Sequence, residues 1–370
     1  MTINRKALAI LTTIPLLGSM KIRLLINHFG SAEAILEASH EELKNLSAHL
    51  PGFNERHIHE LSQWKVSKAW RENEELIDKH AITLVPYDDP SYPQGLLELR
   101  DFPALLYVAG SLIASDERSL AIVGTRIHSI YGGAMAEKMG EELARIGFTI
   151  VSGLARGIDT YAHKGALRGG RTVAVLGSGI ANLYPAENKR LASQIEENGA
   201  VISEFPMKMA PDRTTFPQRN RIVSGMTLGA VLIEAPLKSG AMITMEKGKS
   251  QGRPLFALPG RADVESFKGN HSLIKRGLAS LVEGAEDVSS HFNGLFGNIL
   301  FSGQKSAPPL AQSLEPEEVS LLKAMPSEER TIDELVESVQ IPVGKLNVLL
   351  MSLVIKKMVK EYPGKIYKKY

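Results

Sequence analysis

A chain of 370 residues, 44% of them hydrophobic, is long enough for two or three domains and at least one large core. Its 43 Lys and Arg against 41 Asp and Glu leave a formal net charge of +2, which excludes a uniformly basic nucleic-acid coat, so any anionic partner has to be held by a local patch. The absence of cysteine excludes disulfides and thiolate metal sites and suits a reducing cytoplasm.

The opening MTINRKALAILTTIPLLGSM has the outline of a signal peptide, but helical spacing of apolar residues continues past Lys21 and Arg23 into LLINHFGSAEAIL. That continuation favours a folded helical segment over export. Residues 1–80 predict a small domain of short helices, punctuated by Pro15, Gly18, Gly30 and Pro51-Gly52. Within it, TTIPLLGSMKIRLLINHFG is similar to a DNA-binding helix-hairpin-helix (or SAM-like unit) and equally to a helical interaction bundle. The longest uncharged stretch, residues 288–304, contains Ser, His, Asn and Gly and is too polar to span a bilayer, so no membrane association is expected.

Residues 81–288 predict an α/β core. Residues 81–119, with Pro86, Pro90, Pro93 and Pro103, predict an irregular extension. Strands are predicted at 120–124, 148–153, 172–177, 200–205, 230–235 and 254–259, alternating with amphipathic helices. Nearly continuous apolar strands of this kind imply an extended Rossmann-like parallel sheet covered on both faces. Residues 289–313 predict a connector ending QKSAPPLAQS, and residues 314–370 three helices closed by the basic hairpin VKEYPGKIYKK, a winged helix.

In such a sheet, ligands bind outside the carboxyl ends of the strands. Those ends carry GTR (124–126), SGLARGID (152–159), GSGIANLYPAEN (177–188), SEFP (203–206) and EAPLKSGAMIT (234–244). Glycine lets backbone N–H groups approach an anion, and each following helix offers a positive end. Arg126, Arg156, Lys238, Arg219 and Arg221 stand near these corners. Neither GSGIAN nor GTRIHS completes a dinucleotide fingerprint, and there is no P-loop, so no nucleotide cofactor is expected.

Residues 205–276 hold twelve Lys or Arg against five Asp or Glu, the patch that the overall charge hides. In FPQRNRIVSG (216–225), Asn220 suits a helix cap with Arg219 and Arg221 flanking the helix N-terminus, and Phe216 offers a face for an unpaired base. The competing reading places Phe216 in the core and pairs the arginines with Glu204 and Glu234. Asp159 and His163, four apart on a helix, suit acid–base work or, alternatively, packing beneath the groove.

Taken together, IVGTR, IVSGLARGID, AHKGAL, TVAVLGSG, YPAEN, ISEFP, FPQRNRIVSG, EAPLKSGAMIT, RPLFALPG and GNHSLIKRG, in this order over residues 84–284, resemble the DNA-processing protein A (DprA, or Smf) family. The resemblance implies a core that binds single-stranded DNA without catalysis, forms a homodimer, and helps load the recombinase RecA during DNA uptake. By motif, it implies DNA contacts from Gly124, Arg126, Ser152, Gly153, Phe216, Arg219, Asn220 and Arg221, and from Lys238, Ser239, Gly240 and Thr244, with Arg156 a further basic group. GNHSLI departs from the family's usual G-[ST]-N-x-L-I, so Asn270 and His271 inherit no role, and Ala186 replaces a frequent lysine.

Two other functions compete. A phosphoribohydrolase-like enzyme on a related sheet requires P-G-G-x-G-T-x-x-E, which LPGRADVES fits poorly. A winged-helix transcription regulator requires sequence-specific duplex binding centred on residues 314–370.

Overall fold

The computed structural model describes residues 3–292, 315–326, 328, 330–339, 341–356, 358–362 and 366–369. The chain divides into two compact units, residues 1–301 and 302–370. Among the described residues, no helix is long and apolar enough to cross a membrane.

Six helices open the first unit: α1 (Arg5–Thr13), α2 (Ser19–Phe29), α3 (Ala32–Glu37), α4 (His40–Ser47), α5 (Glu55–Ser62) and α6 (Lys68–Lys79). Asn4, Ser31, Ser39, Asn54 and Ser67 start five of them, each accepting a backbone N–H that the helix itself leaves unpaired. This segment shares its core with the sheet that follows. Leu8, Leu11 and Leu25 lie in one apolar cluster with Leu105, Tyr107, Leu176 and Ile195. The buried Tyr107 hydroxyl closes the contact, 2.6 Å from Thr12 Oγ1 and accepting from Asn73 Nδ2 at 3.2 Å.

The sheet runs β1 (Thr83–Pro86), α7 (Gln94–Leu97), β2 (Leu105–Gly110), β3 (Ser119–Val123), α8 (Ile130–Ile146), β4 (Thr149–Ser152), α9 (Ile158–Gly169) and β5 (Thr172–Val175). It continues through α10 (Lys189–Asn198), β6 (Ala200–Ser203), α11 (Thr215–Gly225), β7 (Gly229–Leu232), α12 (Gly240–Ser250), β8 (Leu255–Ala257), α13 (Lys268–Lys275), β9 (Ser280–Leu281) and α14 (Ala285–Ser290). The spatial order is β1-β2-β6-β5-β4-β3-β7-β8-β9. From β6 through β9 every pairing is parallel, whereas β2 pairs with β6, and β1 with β2, antiparallel.

All six predicted strands are present, and both of their faces are buried. One face packs into a single apolar cluster. The other packs into a second cluster under β3, β4, β7 and β8 and, through Ala174 and Val201 of β5 and β6, into the cluster shared with the N-terminal helices. The irregular extension predicted for 81–119 is corrected: it supplies β1 and β2. Pro86 terminates β1 at the edge of the sheet and Pro103 precedes β2, where neither removes an interior ladder bond. The run LLYVA is buried throughout.

The chain lays β3 to β6 outward in one direction, then returns to place β7 on the other side of β3. The reversal leaves a crevice outside the carboxyl ends of β3 and β7, the position where doubly wound sheets hold ligands.

The second unit contains α15 (Pro316–Ala324), β10 (Arg330–Thr331), α16 (Ile332–Val339), α17 (Val343–Ile355), β11 (Val359–Tyr362) and β12 (Ile366–Lys369), with β12 between β10 and β11. This is the winged helix the sequence predicts; the Pro363-Gly364 turn lies outside the described residues, as do residues 293–313 of the connector predicted from 289. The start of that connector is corrected: residues 289 and 290 end α14, and Phe292 is buried in the apolar core. Leu321, Leu335, Leu346, Leu350 and Leu353 form its core. The Lys356 ammonium at 2.7 Å and the Ser352 hydroxyl at 2.6 Å hold the Glu318 carboxyl down to about 2.

Candidate nucleic-acid interface

A cleft of 480 Å³ lies at the reversal point, bounded by the ends of β3, β4 and β7 and by α11 and α12. On one wall, the loop after β3 presents Gly124 and the exposed Arg126. On the other, the loop after β7 presents the exposed Lys238, then Ser239, Gly240 and Thr244 on the first turns of α12. Ser239 caps α12 by accepting from Met242 N at 3.3 Å, so the positive end of an eleven-residue helix opens into the cleft.

Both loops are fixed by buried groups that carry no charge into the cleft. The Glu234 carboxylate, 1% exposed, accepts from Ser129 N at 3.0 Å, Ser129 Oγ at 2.7 Å and Ser266 Oγ at 2.6 Å. It ties the start of α8 to the end of β7. A Cβ on Gly132 would come within 1.9 Å of Glu234 Oε2, so only glycine lets the helix approach. Asn270 is the second anchor: its Nδ2 lies 3.0 Å from the carbonyls of Leu232, Ile233 and Leu258, and its Oδ1 accepts from Ala235 N. The family motif gives this asparagine no role here. The structure makes it a staple across the ends of β7 and β8, beneath the loop that carries Lys238.

The floor comes from α11. The sequence reading starts this helix at Asn220, but it starts at Thr215, so Asn220 is not its cap and both arginines lie inside it. Residues two apart on a helix point about 200° away from each other. Arg219 therefore faces the cleft and Arg221 the opposite side. Arg219 is buried, donates to Gly153 O at 2.5 Å and to Val175 O, and reaches Asn220 Oδ1 at 3.2 Å. Asn220 in turn donates to Gly240 O at 3.2 Å, joining α11 to α12. Phe216 is half-buried, with the Arg126 guanidinium 5.2 Å from its ring centre and Tyr184 at 6.0 Å.

Three predicted contacts fall outside this cleft. Arg221 is locked behind α11, where Nη2 donates to Glu204 at 2.5 and 2.7 Å and Nε lies 3.3 Å from Asp101, so its charge is neutralised internally. Ser152 is fully buried and its hydroxyl donates to Ile122 O at 2.7 Å. Arg156 stands in solvent, paired with Glu187, which raises its already high basicity. The competing pairing of arginines with acids thus holds for Glu204 and Arg221, while Glu234 holds serines.

Beneath the floor sits a buried trio. Burial lowers Arg219 to about 10 against the pull of Asp159, and burial raises Asp159 against the opposing charge of Arg219. The Asp159 carboxylate accepts from Gly153 N at 3.0 Å and Ala155 N at 3.4 Å, shaping the turn after β4. Thr172 Oγ1 donates to Ile150 O, so the His163 Nδ1–H, 2.7 Å away, must donate to Thr172. Burial, with Arg219 nearby, drives His163 down to about 3. Of the two sequence readings for this pair, packing beneath the groove describes His163.

The cleft thus gathers Gly124, Arg126, Gly153, Phe216, Arg219, Asn220, Lys238, Ser239, Gly240 and Thr244. It adds Arg213, an exposed cation counted within the basic segment but not singled out by any motif, and Ile127, which no charge-based reading could flag.

Comparisons with known proteins agree with this fold. A family model described as DNA recombination-mediator protein A matches residues 83–293, and a DprA winged helix domain model matches residues 305–365. Protein Smf of Escherichia coli is 44% identical over 214 residues, which are 57% of this chain and 57% of that protein. Protein Smf of a Synechocystis strain is 35% identical over 327 residues, 80% of this chain and 82% of that one. The structure of DNA processing protein A from Streptococcus pneumoniae aligns with 32% identity and a TM-score of 0.65, covering 78% of this chain and 98% of that chain. DNA processing protein A from Helicobacter pylori, described for its single-stranded DNA binding mode, aligns with 27% identity and a TM-score of 0.53, covering 58% and 98%.

Proposed function

Since the chain belongs to the DNA recombination-mediator protein A family, we propose that the cleft at the β3–β7 reversal binds single-stranded DNA, without catalysis, in DNA processing during transformation or recombination. One observation carries this reading: three exposed cations, Arg126, Arg213 and Lys238, and the positive end of α12 converge on a half-buried aromatic face, Phe216. Cations and helix ends take phosphate oxygens, while a half-buried ring accepts a base only when that base is free of a partner strand. The Helicobacter pylori relative's single-strand binding supports the same assignment. Dimerisation through the core, loading of RecA and a cytoplasmic location are supported by the family resemblance.

The test is a titration of labelled poly-dT and matched duplex over a range of salt. Preference for the single strand is expected, with log affinity falling about 0.7 per phosphate contact for each decade of salt. Equal affinity for duplex, or salt-independent binding, would overturn the assignment.

A further inference from the structure

The two most exposed large apolar side chains among the described residues are Ile130 at 92% and Ile127 at 87%. Ile127 immediately follows Arg126 in the β3–α8 loop, and Ile130 is the first residue of α8. Across the cleft, Leu237, 53% exposed, immediately precedes Lys238. Each wall therefore places an exposed aliphatic side chain next to an exposed cation, on loops that follow adjacent strands.

The backbone holds Ile127 and Ile130 outward. Ile127 N donates to Thr125 Oγ1 at 3.2 Å, and Thr125 N donates to Glu234 O at 2.7 Å. Between the two isoleucines, Ser129 is gripped by the buried Glu234 carboxylate and caps α8 by accepting from Gly132 N at 3.0 Å. With both ends of the loop tied, neither side chain can fold into the core, and the apolar surface stays in solvent until something covers it.

Building on the single-strand reading, we propose that Ile127, Ile130 and Leu237 form an apolar lip that the bases of the bound strand cover. Of the three, Ile127 lines the cationic cleft, and Leu237 stands between two of its lining residues, Pro236 and Lys238, so the lip borders the cleft. Paired charge and apolar surface suit a polymer that carries one phosphate and one apolar ring face per repeat. Phosphates lie along Arg126 and Lys238, and the bases turn onto the aliphatic groups, which wedge against or between them as aliphatic side chains do at unstacked base steps.

The experiment compares wild type with the full-chain triple variant Ile127→Ser, Ile130→Ser, Leu237→Ser. The probes are labelled poly-dT and an abasic strand of equal length, which presents the same phosphates and no bases. The variant is expected to lose about tenfold in affinity for poly-dT and less than about twofold for the abasic strand. The matching Ile→Leu and Leu→Ile variant should retain wild-type affinity. Equal loss on both strands, or no loss on poly-dT, overturns the lip and leaves the single-strand reading intact. Failure of the wild type to bind either strand overturns both. Dissociation of a dimer by the triple variant in sedimentation velocity would instead assign the face to a second copy, and loss of binding to anionic vesicles would assign it to a lipid surface. Either result overturns the lip. Because all three side chains are exposed, the variant should melt like the wild type, and a lowered melting temperature with equal loss on both strands counts against the proposal.

Discussion

Arg219 and Arg221 share one helix and one sequence motif, yet they serve opposite faces of α11. In front, Arg219 supports a cleft whose other cations, Arg126, Arg213 and Lys238, stay exposed. Behind, the Arg221 side chain is 9% exposed and is matched by Glu204, itself 10% exposed, with Asp101 alongside. The front leaves positive charge available to a ligand, and the back consumes it. A count of cations along a sequence measures neither. What matters is whether an acid reaches each guanidinium first, and helix phase decides that.

The sharpest way to break this comparison is Arg221→Ala. It leaves Glu204 buried with its arginine gone and should lower unfolding free energy by about 3 kcal/mol. Affinity for poly-dT should move by less than about threefold, since no phosphate contact is removed. A large affinity loss at unchanged stability would put Arg221 in the interface after all.

The converse is Arg126→Ala with Lys238→Ala. Both side chains are exposed, so stability should hold, while affinity for poly-dT falls about a hundredfold at low salt and the salt slope decreases by about 1.4. An unchanged slope would mean that neither cation meets a phosphate.

His163 tests the layer beneath the floor. Its folded value of about 3 lies below the ordinary 6.5, so the unfolded chain binds the extra proton first. Stability that this neutral histidine contributes is intact above pH 6.5 and is lost as pH falls from there toward 3. Denaturant unfolding across that window should therefore show a slope up to about 1.4 kcal/mol per pH unit shallower in His163→Gln. Parallel slopes would show that the ring is charged in the folded protein.

The smallest effect is expected for Arg156→Ala. Its partner Glu187 is exposed and the pair stands outside the cleft, so melting temperature and poly-dT affinity should both match wild type. A clear affinity loss would extend the interface along the turn after β4.

Much of this architecture is legible in the residues. The apolar strands at 120–124, 172–177 and 230–235 could be buried only between two helical layers, and the glycine-bearing turns that follow them had to lie along one rim. The motif set identified the family because its blocks recur in order. The antiparallel β1 and β2 were hidden by their flanking prolines, which read as breakers until the edge position shows that they cost no interior bond.

What the sequence determines by itself is local: helix and strand periodicity, caps, glycine positions and the run of cations from 205 to 276. What the tertiary structure decides is pairing between distant residues. Helix phase set by a start at Thr215 sends Arg221 to Glu204 and Arg219 to Gly153. Glu234 finds Ser129 across the crevice, and Asn270 finds the carbonyls of β7. Each of these contacts depends on groups separated by many residues, and their distances are fixed only when the sheet order brings the strand ends together.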